Sequence, residues 1–272
     1  MIRSSVTVSL VPEVRGGPFV FWDDLPAACR KAKDFGFDAV EIFPAAADAV
    51  NVNQVRTLLN DQGLALAAMG TGAGWVKSRL HLCLPDSGAC AKARAFIRSI
   101  IDVAGSLRAP AIIGSMQGRS GDGADHATAT GHLQDALEEL GTHASQYKVP
   151  LIFEPLNRYE TNMVNTIEAG VRLLNGLSTK NVVVLADLFH MNIEEADLPA
   201  AIRAGKGHIG HVHFVDSNRR PAGLGHIDYP PIAAALRAID FNGIASAEAL
   251  PYPDPDAAAR QTSAAFRKFF RE

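Results

Sequence analysis

The sequence predicts a closed (β/α)₈ TIM barrel, formed as a single domain over residues 1–272. Three observations carry that reading. Short apolar runs and helical periods alternate eight times with no break in composition, the pattern of a parallel sheet wrapped by helices. The last four strand-like runs each bring an ionisable side chain to their outer end: Glu154, Asp187, His213 and Glu248. These residues are 33, 26 and 35 positions apart, each about one strand-plus-helix unit. A doubly wound open sheet is the competitor, but it usually needs fewer strands and a phosphate fingerprint. Gly70-Thr71-Gly72-Ala73-Gly74 lacks the GxGxxG spacing.

Taken in order, residues 6–10 read as the first strand, followed by a Gly/Pro-rich loop and a helix over 22–35 that Gly36 stops. Residues 39–43 form the second strand, ended by Pro44, and a helix over 52–61 is closed by Gly63. The third strand is 64–69, its helix 87–105, and the fourth strand 111–113. A loop over 114–125 holds four glycines and is long for a simple connector, a property of functional or disordered segments. A helix over 127–147 leads to the fifth strand, 151–154. Then come a helix over 166–177, a strand at 182–185 running on to Asp187, and a short helix near 198–204. The last units are strand 211–215, helix 231–239, strand 243–247 and helix 255–270.

Composition excludes several functions. A formal charge of -3 with no basic stripe argues against nucleic acid. No apolar run reaches the length of a membrane span, about 18 residues or more, and the first residues lack a signal-peptide core. The expectation is a soluble, cytoplasmic protein. Three unpatterned cysteines, Cys29, Cys83 and Cys90, read as buried or half-buried reduced thiols.

The chemistry is expected at the C-terminal ends of the strands, where barrel enzymes assemble their sites. Leu151-Ile152-Phe153 is apolar, yet it runs into Glu154, and Pro155 holds that residue extended at the strand's end, where it meets solvent. Taken singly, a strand-end acid caps a helix or joins an ion pair. Three acids and a histidine in register would repel one another without a cation between them. Glu154, Asp187, His213 and Glu248 are therefore the expected ligands of a divalent metal. Their hard, thiolate-free donor set favours Mn²⁺, Mg²⁺ or Co²⁺ over structural zinc. His211 shares a face with His213 and reads as a supporting histidine rather than a fifth ligand. Arg220, Glu194 and Glu195 read as surface residues, and Phe19, Trp22 and Trp75, candidate lid aromatics, as packing before a ligand platform. Specificity is assigned to the loops over 13–21, 70–84 and 115–125.

Three blocks now show a resemblance: Glu154-Pro155-Leu156-Asn157-Arg158-Tyr159-Glu160, then Asp187 through Glu195, then His211-Val212-His213 with Asp216-Ser217-Asn218-Arg219. They resemble the xylose-isomerase-like TIM-barrel superfamily, and within it the ketose 3-epimerases of the D-tagatose and D-psicose type. The specific match covers about residues 150–250; the first half agrees only in strand–helix rhythm. The resemblance implies that the four residues bind the cation, commonly Mn²⁺ or Co²⁺, and that Glu154 and Glu248 also form an acid/base pair. It implies further that Glu160, His190 and Arg219 contact substrate oxygens, that the substrate is a small keto-sugar, and that the protein is a homodimer or homotetramer. The chain departs from the epimerase pattern at Leu188, at Asp216 and in Ser246-Ala247-Glu248-Ala249-Leu250, departures that bear on the substrate.

The expected reaction moves a proton next to a ketone through an enediolate. An aldose–ketose isomerase of the hydroxypyruvate- or xylose-isomerase type is the alternative. An apurinic endonuclease, which needs further histidines on the early strands, and a non-catalytic sugar-binding barrel are the remaining readings.

Overall fold

In the computed structural model, which describes residues 1–121 and 123–271, strand β1 (Arg3–Ser9) sets the pattern for the barrel. Its side chains alternate. Val6 and Val8 join the large core between sheet and helices, while Ser5, Thr7 and Ser9 are buried on the other face. Strands β2 (Ala39–Phe43), β3 (Ala65–Gly70), β4 (Ala111–Ile113) and β5 (Leu151–Phe153) follow. Then come β6 (Val182–Asp187), β7 (Ile209–His213) and β8 (Ile244–Ala247). Every neighbouring pair is parallel, and β1 pairs with both β2 and β8, which closes the barrel. Ala68, Ile112, Ile152 and Leu185 form a separate small apolar cluster, as do Ala39, Ala67 and Ile244; these fill the barrel interior.

The surrounding helices are α1 (Leu25–Asp34), α2 (Val52–Gln62), α3 (Ala73–Ser78), α4 (Ser87–Ser106) and α5 (His126–Ser145). They continue with α6 (Ile167–Asn175), α7 (Leu188–Glu194), α8 (Leu198–Ala204), α9 (Tyr229–Ala238) and α10 (Pro255–Phe270). Many starts are set by a side-chain cap: Asp24, Asn51, Asp86, Asp125, Thr166, Asp197 and Asp254 each accept a backbone N–H of the first turn. Among the described residues, no helix is long and apolar enough to cross a membrane. All three cysteines are buried and unpaired, and burial pushes the thiols of Cys29 and Cys83 up to about 11 and about 12.

The barrel matches the sequence reading, with local corrections. Phe21 and Trp22 form a short parallel strand beside β1 rather than a helix start. Asp23 turns the chain at φ 62° and Asp24 caps the next turn, so α1 cannot begin before Leu25. β7 lies two residues earlier than expected because Val215 pairs antiparallel with Pro221 and leaves the barrel. α3 and α7, read as loop, are helices. Glu194 and Glu195, read as surface acids, are half-buried: Glu194 accepts the Arg158 backbone N–H, and Glu195 that of Ile167. Asp122, within one predicted specificity loop, lies outside the described residues.

Candidate active site at the carboxyl rim of the barrel

Four neighbouring strands deliver the four predicted residues to one place. Donor atoms of Glu154, Asp187, His213 and Glu248 all lie within 4.8 Å of one another. β5 ends at Phe153, and the Glu154 N–H still bonds the Ile113 carbonyl at 2.9 Å. Its side chain is buried, only 7% exposed, at the wall of the cavity described below. Among the described residues Glu154 Oε1 has no hydrogen-bond partner; it sits 3.4 Å from His213 Nδ1 and 3.9 Å from His190 Nε2.

Asp187 divides its work. Oδ1 caps α7 through the N–H groups of Phe189 and His190, at 2.8 and 3.1 Å. Oδ2 faces His213 Nδ1 at 3.0 Å and accepts from Arg219 Nη1 at 2.6 Å. The same guanidinium bonds Glu248 through Nη2 and lies 4.9 Å over the Phe189 ring. Arg219 reaches this position from a tight turn, at φ 60°, within a loop held by Asp216.

These contacts set the charges. Burial alone would raise the Asp187 carboxyl, but Arg219 and the two histidines outweigh it and hold it far below the usual range. Burial would neutralise His213; the carboxylates of Glu248, Glu41, Asp187 and Glu154 instead push it well above its ordinary value. For Glu154 burial wins, and its carboxyl is raised although His213 opposes the shift. The site therefore balances several acids against Arg219 and the His213 ring.

His190 stands on α7, where its Nδ1 accepts the Asn157 backbone N–H at 3.2 Å. That bond leaves the ring proton on Nε2, the nitrogen facing Glu154 and Asp187. Asn157 also donates from Nδ2 to Glu160 Oε1 at 3.0 Å, fixing a half-exposed carboxylate at the mouth. Glu154, Glu160, His190, His213, Arg219 and Glu248 all line one cavity of about 480 Å³, and Asp187 lies just behind it. Its other wall is apolar, with Phe19, Phe43, Trp75, Leu156 and Phe189. Phe19 and Trp75 line the cavity and also pack, Phe19 against Phe43 and Trp22 at 4.8 and 5.5 Å and Trp75 edge-on to His81 at 5.6 Å.

Sequence reasoning missed Glu41. This residue of β2 is buried inside the barrel, 2.8 Å from His211 Nε2 and 3.2 Å from His213 Nε2. The signal was a lone acid inside the apolar run Ala39-Val40-Glu41-Ile42-Phe43. His211, expected to be a supporting residue, is buried with its Nε2 2.8 Å from Glu41 Oε2. Asn157, the anchor of both His190 and Glu160, was also missed; nothing but its place between Glu154 and Glu160 marked it.

A family model described as the xylose isomerase-like TIM barrel matches residues 29–269. The chain belongs to this family. The D-psicose 3-epimerase of Agrobacterium fabrum is 30% identical over 231 residues, covering 79% of this chain and 75% of that protein. The D-psicose 3-epimerase of Enterocloster bolteae is 29% identical over 248 residues, with 85% and 80% covered. The 3-dehydro-D-guloside 4-epimerase of Escherichia coli is 28% identical, with 79% and 82% covered. Among solved structures, a D-psicose 3-epimerase with D-fructose superposes with a TM-score of 0.82 at 22% identity, all of both chains being covered. That likeness establishes the shared fold.

Proposed function

We propose that the protein is a divalent-metal-dependent epimerase of keto-sugars, with Mn²⁺ as the first ion to test and Co²⁺ or Mg²⁺ as alternatives. One observation carries the reading: Glu154 and Glu248, from β5 and β8, line the same sugar-sized cavity, with Arg219 and His190 beside them. The relatives named as epimerases of D-psicose and of a 3-dehydro-guloside point to the same substrate class.

The donor set fits a cation. Glu154 Oε1 is buried with no hydrogen bond to any described residue, beside two further carboxylates and an imidazole nitrogen within 4.8 Å. Glu154, Asp187, His213 and Glu248 would hold the ion, all of them oxygen or imidazole ligands suited to Mn²⁺. When bound, it would supply Lewis-acid polarisation of the substrate carbonyl.

The residues divide the proton work. One of Glu154 and Glu248 takes the proton from the carbon beside the ketone, and that C–H electron pair moves into an enediolate. The other returns a proton to the opposite face of the same carbon, so atoms and charge balance and the configuration inverts. His190 Nε2–H and the Arg219 guanidinium donate to the oxygens where negative charge gathers. Glu160, at the mouth, accepts from a terminal hydroxyl. The apolar wall of Phe19, Phe43 and Trp75 keeps water from the enediolate.

The test is exchange of the proton next to the carbonyl, followed in D₂O with metal-replete protein and a panel of ketoses and keto-glycosides. Glu154→Gln and Glu248→Gln should each lower epimerisation by about 10²–10⁴-fold, the usual worth of a positioned acid or base. Near-normal turnover in either variant would sink the two-carboxylate scheme. An aldose product in place of the epimer would favour the isomerase reading.

A further inference from the structure

His213 shows its two ring nitrogens to two different neighbourhoods. Nδ1 faces Asp187, Glu154 and Glu248 at 3.0, 3.4 and 3.4 Å. Nε2 faces away from that cluster, and its partner is Glu41 Oε1 at 3.2 Å. The second oxygen of Glu41 lies 2.8 Å from His211 Nε2. Glu41 comes from β2, across the barrel from β7, and its side chain is only 6% exposed. A buried carboxylate in a strand otherwise made of Ala, Val, Ile and Phe is costly unless something charged or hydrogen-bonded requires it.

The geometry points to Glu41 as a positioning residue for the metal centre. It accepts the Nε2–H of His213, so the Nδ1 proton is the one a cation would displace, and the Nδ1 lone pair would then face the space between Glu154, Asp187 and Glu248. His211 in turn pins the far oxygen of Glu41, so the carboxylate cannot swing into the cavity it borders. The inference rests on the reading that these four residues hold a divalent cation. A histidine that binds a metal through one nitrogen usually donates from the other to a carboxylate, which fixes tautomer and ring orientation. Here the tautomer matters more than usual. A proton on Nδ1 would bond Asp187 and remove the ring from the donor set.

Glu41 also borders the cavity, and Glu41, His211 and His213 are close enough to form a ligand group of their own. A substrate contact and a second ion are therefore the rival roles. The decisive experiment measures Mn²⁺ binding to the full-length protein by the EPR signal of free Mn²⁺, without substrate. Glu41→Gln keeps the shape and loses the charge. It should bind one ion per chain, as wild type does, with affinity weakened about 10–100-fold. In turnover at saturating Mn²⁺, kcat should fall while KM stays close to that of wild type.

A second measurement uses the unaltered protein, so misfolding of the variant cannot obscure the answer. The ¹⁵N imidazole spectrum of the Mg²⁺-loaded protein should show His213 protonated at Nε2 and bare at Nδ1. Unchanged Mn²⁺ affinity in the variant, a change confined to KM, loss of one of two ions, or a proton on Nδ1 of His213 would each overturn the proposal. Wild-type protein that binds no divalent cation would overturn the metal reading beneath it as well, and that result is distinct from the others.

Discussion

Arg219 joins two strands that share no ladder: its Nη1 lies 2.6 Å from Asp187 Oδ2 at the end of β6, and its Nη2 bonds Glu248 beyond β8. Only a planar fork does this. A lysine ammonium is a single point of charge and cannot hold both carboxylates in one orientation. Arg219→Lys should therefore lower kcat/KM by about 10²–10³-fold, the worth of one lost charge-stabilising donor. Steady-state kinetics at saturating metal check this. Wild-type turnover would mean that the grip of the guanidinium on the two carboxylates contributes nothing to the reaction.

Gly114 offers a test that leaves every ionisable group in place. A Cβ on this residue would stand 2.4 Å from Glu154 Oε2, closer than side chains tolerate. Gly114→Ala should push the Glu154 carboxylate out of the donor set and cost about 10²-fold in turnover, as small misplacements of reacting groups do. Mn²⁺ affinity should fall with it. Equal activity in the alanine variant would show that Glu154 can move without loss.

Asp216 supplies a pH dependence away from the donor cluster. Burial would raise its carboxyl, but the N–H groups of Ser217, Ile227, Gly223 and Gly225 outweigh burial and lower it. A native pKa below the unfolded one stabilises the fold at pH above the unfolded value of about 3.9. The contribution is lost as the pH falls through the native value. Asp216→Asn should lower Tm by a constant amount near neutrality, and the gap from wild type should close in acid. A gap that does not depend on pH would show that the shape of the side chain matters and its charge does not.

The barrel and four of its rim residues were legible in the sequence because each lies where a local rule breaks. Glu154 interrupts an apolar run just before Pro155, and Asp187 and Glu248 close their runs the same way. Glu41 was harder to see. It lies in mid-strand, and its role depends on the far side of the barrel, where His211 and His213 are 170 and 172 residues away. Asn157 was hidden for a similar reason, since its value lies in a backbone N–H that meets His190 from another element. α7 escaped notice because it is short, and its start is set by the Asp187 side chain rather than by a hydrophobic period.

The rim is split by chain order. The proposed cation ligands, His190, Arg219 and Glu160 all come from β5 onward, while Phe19, Phe43 and Trp75 stand on the segments of β1 to β3. A library confined to residues 17–19 and 72–76 would therefore vary what the cavity accepts while leaving the proton-moving half intact. Gly17, Gly72 and Gly74 set the limit of such a library, because a Cβ there would meet the Val14 carbonyl oxygen at 2.9 Å, the Phe43 ring at 3.0 Å and Met116 Sδ at 2.7 Å. The early half of the barrel is thus the place to retrain the protein on a new sugar.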